Sequence, residues 1–100
     1  MARIDVNEAS TVCAARRLAS AAAPDQGETV IVDPASGRYY GLDGTAVRVW
    51  ALIQTPRRVS AVVDTLFEEY EATRAVLFQD VIALLRELCE AGLVEVVPEG

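Results

Sequence analysis

The spacing of apolar and polar positions changes period along this 100-residue chain. Over residues 29–33, Val30 and Val32 alternate with Thr29, Ile31 and Asp33, the period of two of a strand with two different faces. Asp33 and Pro34 suit positions i and i+1 of a type I turn, and Gly37 supplies a positive φ to close it. Residues 38–42 return with Tyr39 and Tyr40, side chains that fit a pleated, half-buried surface. The stretch predicts a β-hairpin, with Asp43 placed to cap the helix that follows. On its own such a hairpin is an ordinary cover for a core.

From residue 45 the period lengthens to that of a helix. Ala46, Val49, Trp50 and Ile53 share one face over 45–54, and Arg48 points away. Pro56 ends this helix ahead of a short connection through Arg57 and Arg58. A second helix spans 59–71, with Val59, Val62, Val63, Leu66, Phe67 and Tyr70 as its apolar stripe. Glu68, Glu69 and Glu71 crowd its C-terminal end, where the helix dipole disfavours them, and solubility is the one reason the sequence offers. The third helix starts after Thr73, a good N-cap, and runs to about Ala91, with Gly92 as its left-handed stop. Leu77, Val81, Leu84, Leu85 and Leu88 form its core row, while Phe78 and Ile82 widen the apolar surface beside Ala83. A small domain has little material to cover so much apolar helix, which makes part of this flank a candidate groove lining.

The ends of the chain are less distinct. Residues 1–10 are polar and are expected to be extended or frayed; 11–97 read as a single domain. Residues 11–23 suit a helix through their alanines, or a strand through the alternation of Val12, Ala14 and Arg16. A first strand within 12–19 is adopted, because a two-stranded hairpin alone is marginal and a third strand supports it. Residues 21–28, with Pro24, Asp25 and Gly27, read as a loop. Residues 93–97 offer a short terminal strand or a cover for the open end. The fold class is α+β and winged-helix-like: a three-stranded antiparallel sheet followed by three helices.

Charge narrows the function. The net charge is −6, and from Val59 onward nine acidic residues face only Arg74 and Arg86, against six acidic residues and seven arginines before it. A surface that grips nucleic acid needs clustered positive charge, and the helical half is the reverse of that. No apolar run approaches the roughly 20 residues that span a bilayer. Arg3, Asp5 and Glu8 near the start, then Arg16 and Arg17 among the alanines, do not make a secretory signal, so a cytoplasmic protein is expected. Cys13 and Cys89 have no CxxC spacing and no histidine to join them, which leaves two free, buried thiols as the expectation and no metal site.

Catalytic chemistry is missing as well. With no histidine and no lysine there is no triad, histidine base, Schiff base or phosphate-clamping lysine. Gly37, Gly41 and Gly44 have the spacing of turns and a cap rather than of a phosphate cradle. The paired carboxylates Glu68 and Glu69 lie on a solvated helix end. An enzyme is not expected, nor is a cofactor.

The order of the pieces is more specific than any one of them. Val30-Ile31-Val32-Asp33, then Gly37-Arg38-Tyr39-Tyr40-Gly41-Leu42-Asp43, then Ala46-Val47-Arg48-Val49-Trp50 resembles the PqqD-like family. Asp80-Val81, Leu84-Leu85, Leu88 and Gly92-Leu93-Val94 continue that resemblance, which covers about residues 29–97. Asp43 stands where the family more often has asparagine, and the segment before Glu28 matches poorly. The resemblance implies a leader-peptide recognition element of ribosomally made, post-translationally modified peptide pathways. In that family some members are fused to modifying enzymes, others are small and free-standing, and those resembling this chain serve lasso-peptide pathways. Such an adaptor binds the precursor's leader as an added antiparallel strand on the third strand, packs leader side chains against the third helix, and delivers the precursor to a leader peptidase, with a cyclase as a further partner. A lasso-type leader is expected to carry a tyrosine and, three positions on, a proline.

On this chain the implied peptide-binding residues are Arg38, Tyr39, Tyr40, Gly41 and Leu42 on the strand, with Val76, Gln79, Asp80, Ala83, Leu84, Arg86 and Glu87 on the third helix. The strand's unpaired N–H and C=O groups are a template for an extended peptide, and Gly41 leaves room for close approach. Asp80, Arg86 and Glu87 are placed to read leader charges, or are simply a solvated helix face. The alternative function is a winged-helix DNA-binding regulator with its third helix in the major groove. Asp80, Glu87 and Glu90 against Arg74 and Arg86 oppose it. A carrier or chaperone for a cofactor precursor is the third reading, and it too rests on peptide binding. Neither nucleic acid nor membrane is an expected partner. A monomer or a weak homodimer paired through tyrosine-rich edges is expected.

Overall fold

The computed structural model describes residues 6–23 and 28–97. In chain order they form β1 (Thr11–Ala14), β2 (Ala19–Ala23), β3 (Glu28–Val32), β4 (Tyr39–Asp43), α1 (Thr45–Leu52), β5 (Arg57–Arg58), α2 (Val59–Glu69), α3 (Arg74–Glu90) and β6 (Val94–Val97). Strands β2, β3 and β4 make one antiparallel sheet in that order, and the three helices follow it, as the sequence predicts. Strands β5, β1 and β6 make a second antiparallel sheet with β1 in the middle.

The second sheet is the main departure from expectation. The region read as one first strand is two strands, separated by a turn in which the Leu18 N–H donates to the Ala15 carbonyl. Residues 21–23, expected in a loop, extend β2 alongside β3 from Ala19↔Val32 to Ala23↔Glu28. Alanine carries no face preference, so β2 has no visible period, and its strand character comes from the ladder β3 offers. The pair Arg57 and Arg58 lies opposite Val12 and Thr11, and residues 94–97 pair with β1 from Ala14↔Val94 to Thr11↔Val97.

The start of the described chain is fastened rather than frayed. Val6 is fully buried, the Glu8 and Ser10 carbonyls accept from the Ser60 and Val59 N–H groups, and the Asn7 side chain accepts from Ala9 N–H. Residues 1–5 of that expectation lie outside the described residues.

One core joins both sheets to the helices. Val12, Ile31, Leu42, Val49, Trp50, Ile53, Val63, Leu66, Val81 and Leu85 belong to a single buried cluster. Trp50, 4% exposed, is central to the expectation for α1 and lies in that cluster. On α2 the row Val59, Val62, Val63 and Leu66 is buried, but Phe67 and Tyr70 are exposed. Phe67 sits off that row, and Tyr70 is an extended C-cap residue beyond the helix. Thr73 caps α3 by accepting from the Val76 N–H at 3.3 Å, and Gly92 follows the helix at φ +77°. Ile82, expected on the groove flank, is part of the core, and Phe78 is partly buried against it. Both cysteines are free and buried. Burial pushes the Cys89 thiol above its ordinary pKa. Among the described residues no helix is long and apolar enough to cross a membrane.

Candidate functional site

Among the described residues strand β4 is an edge of its sheet, paired to β3 alone. The turn that positions it is built as its residue types require. The Asp33 side chain accepts from Ala35 N–H at 3.0 Å, the Gly37 N–H donates to the Asp33 carbonyl at 2.8 Å, and Gly37 has φ +73°. Arg38 belongs to this turn rather than to the strand. Its N–H donates to Ser36 Oγ and its carbonyl accepts from Asp33 N–H at 2.8 Å.

That last bond fixes which backbone groups face the open edge. Asp33 and Arg38 are a hydrogen-bonded pair, and in an antiparallel ladder such pairs alternate with non-bonded ones. With Ile31 opposite Tyr40 and Thr29 opposite Leu42, Tyr40 and Leu42 spend their N–H and C=O on β3. Tyr39, Gly41 and Asp43 direct theirs outward. The same alternation divides the side chains. Leu42 is buried and Tyr40 leans half-buried on the core, while Tyr39 is 75% exposed and Asp43 is also exposed.

Asp43 does not cap α1. It ends β4 directly opposite Glu28, and Gly44, at φ +57°, takes the corner as N-cap without a side-chain bond. Glycine accepts that left-handed conformation without the steric cost an aspartate bears. Glu28, Gly41, Leu42 and Asp43 line a cavity of about 210 Å³ at this end of the edge.

Helix α3 sorts the remaining candidates. Val76, Asp80, Ala83 and Glu87 are all exposed and, at 3.6 residues per turn, fall in one stripe. Leu84 borders it, partly buried against the core that also carries Tyr40. Val76, 51% exposed, makes the stripe apolar at its start. Gln79 and Arg86 are exposed too and lie along the other margin of that stripe, across from Leu84. Helix α1 packs against β4.

Sequence reasoning missed two arginines that hold this frame. Arg17 Nη2 donates to the Gly92 carbonyl at 2.9 Å and lies 3.7 Å from Asp33 Oδ2, tying the hairpin turn to the end of α3. Arg48 on α1 donates Nε to Glu69 Oε1 at 2.8 Å and Nη2 to Glu69 Oε2 at 2.7 Å. These bonds hold the Glu69 carboxyl below the usual glutamate range and raise the Arg48 guanidinium above its own. Arg17 sits in an alanine-rich segment with no period to mark it, and its partners are remote in sequence.

Over 50 residues the chain is 42% identical to a "PqqA binding protein" of Rhodopseudomonas palustris strain HaA2 and 40% identical to that of strain BisB5. In each case the match covers 50% of this chain and 49% of the relative, so it spans about half the length of these curated relatives. Among solved structures, TbiB1 in complex with the TbiA(beta) leader peptide superposes with a TM-score of 0.77 at 28% identity, covering 87% of this chain and 99% of that one. The PqqD truncation of Methylobacterium extorquens PqqCD, solved by NMR as a stand-alone recognition element, gives a TM-score of 0.75 at 22% identity, covering 91% and 95%, and is a likeness of fold. The family described as "Coenzyme PQQ synthesis protein D (PqqD)" matches residues 28–94, from the start of β3 to the start of β6, and the chain belongs to that family.

Proposed function

We propose that this chain is a non-catalytic adaptor that binds the leader of a ribosomally made precursor peptide and hands it to modifying enzymes of the same pathway. The leader adds as an antiparallel strand to β4. The observation that carries the reading is the open edge, where Tyr39, Gly41 and Asp43 offer backbone groups to a partner strand. Leader side chains that alternate inward lie against the α3 stripe of Val76, Asp80, Ala83 and Glu87 beside Leu84, with Gln79 and Arg86 at its margin. Likeness to TbiB1, solved with a leader peptide bound, supports leader binding; the pathway proposed is of the lasso type that the sequence resemblance implies, with a leader peptidase as recipient and a cyclase as a further one. The adaptor acts in the cytoplasm, where its precursor is made, as a monomer or weak homodimer.

The test is a titration of fluorescently labelled leader, both the TbiA(beta) leader and that of any precursor gene found next to this one, against wild type and Ala83→Arg. Ala83 is exposed, so the arginine fills the stripe without entering the core. Affinity is expected to fall at least about tenfold, about 1.4 kcal/mol, with the thermal midpoint nearly unchanged. Unchanged binding by folded Ala83→Arg moves the site away from α3. A gel-shift with duplex DNA run beside it addresses the regulator reading. The acidic helical half leads us to expect only weak, salt-sensitive association, and a salt-resistant, sequence-selective complex would overturn the adaptor.

A further inference from the structure

Two features of the β4 edge have no explanation in the fold. Gly41 sits mid-strand, where glycine weakens a strand relative to residues with side chains. It does not have a positive φ, and a Cβ built on it meets nothing within 4 Å. Neither backbone conformation nor packing calls for a glycine there. One step along, Glu28 and Asp43 face each other as a direct cross-strand pair. Like charges so placed are destabilising, and no cation among the described residues makes an ion pair with either. Both features meet in the same cavity of about 210 Å³. Local rules broken side by side without a structural return are characteristic of a binding site.

We propose that Gly41 is the specificity-determining residue for a long basic side chain, lysine or arginine, on the bound strand. This rests on the adaptor reading. A peptide residue hydrogen-bonded opposite Gly41 projects its side chain on the outer face of the sheet, the face of Tyr39, Val30 and Asp43. The missing Cβ lets its aliphatic stem cross β4 onto Val30, which lies directly opposite Gly41. Its cationic end then falls between the Glu28 and Asp43 carboxylates and relieves their repulsion. A residue with any side chain at 41 occupies that path. The inward-facing leader residues read α3, and this outward one reads charge.

A phage-displayed library of linear 12-residue peptides, panned on the full chain and on Gly41→Val, Glu28→Gln and Asp43→Asn, tests the assignment. Recovered peptides are then synthesised with the basic residue replaced by glutamine and titrated by fluorescence anisotropy. Wild type is expected to enrich lysine or arginine at one fixed position, with the glutamine version roughly three- to tenfold weaker. That preference is expected to vanish on all three variants, whose thermal midpoints hold or rise. Peptides that bind with no basic preference, or with one that survives the substitutions, overturn the seat and leave the adaptor standing. If no peptide is recovered by any form of a protein that remains folded, the adaptor reading fails and the seat with it.

Discussion

Arg48 and Glu69 join the first helix to the end of the second through two parallel hydrogen bonds, 2.8 Å from Nε and 2.7 Å from Nη2. The pair gives one of the crowded glutamates a structural role that the sequence does not reveal. Glu69 lies at a helix C-terminus where its charge is disfavoured, and the forked guanidinium offsets that cost.

Its pH dependence has a definite sign. Hydrogen bonding to Arg48 lowers the folded-state pKa of Glu69, so the stabilisation is present above the unfolded glutamate pKa and is lost as pH falls through the lower, folded value. Arg48, shifted upward, keeps its charge throughout that window. The expected outcome is a carboxyl ¹³C titration of Glu69 with its midpoint below the usual glutamate range. In Arg48→Met it should return to that range. A Glu69 midpoint that does not respond to loss of Arg48 would mean the pair does not form in solution.

Trp50 supplies the second prediction. It is buried in the common core, and its indole Nε1 has no hydrogen-bond partner among the described residues. Trp50→Ala empties a large volume and is expected to cost about 3–5 kcal/mol in denaturant unfolding. Trp50→Phe removes an unpaired buried donor together with part of the ring, and the two effects oppose each other. We expect it to cost about 1.5 kcal/mol or less. Equal losses for the two variants would show that ring volume matters less here than the indole nitrogen.

Adjacent prolines on β4 separate the two sides of the strand. The Gly41 N–H faces the open edge, whereas that of Tyr40 faces β3. Gly41→Pro should therefore abolish leader binding while the thermal midpoint stays close to wild type. Tyr40→Pro breaks the hairpin ladder and should lower the midpoint by several degrees. Circular-dichroism melts beside the leader titration check both. Binding that survives in folded Gly41→Pro would remove β-addition at this edge.

The parts legible in the sequence are those whose signals are local. Asp33, Pro34 and Gly37 specify the hairpin turn through their own conformations and side-chain bonds, and Thr73 and Gly92 mark α3 in the same way. Trp50 is identified as core by its neighbours three and four positions away. The second sheet was not legible, because its pairs join Thr11 to Val97 and Val12 to Arg57, residues that carry no mark of each other. Strand β2 was hidden for a different reason: an alanine-rich segment looks the same at every period. At the site, the sequence named the strand but not the parity of its backbone groups. Parity depends on the register with β3, and it is what singles out Tyr39, Gly41 and Asp43 from their neighbours.

Thr11 and Val97 lie opposite each other although 86 positions (97 − 11) separate them. Bringing such distant segments together carries a large loop-closure entropy, so pairing of this kind is slow and late in folding. The β3–β4 hairpin closes over six residues (33–38) and forms on a much faster timescale. During synthesis the hairpin emerges long before β6, the strand that completes the other sheet, is available. The order of assembly thus divides the domain into an early, locally specified edge and a late closure that holds the whole chain together. Substitutions on that edge can change the surface it presents while the closing strands stay as they are.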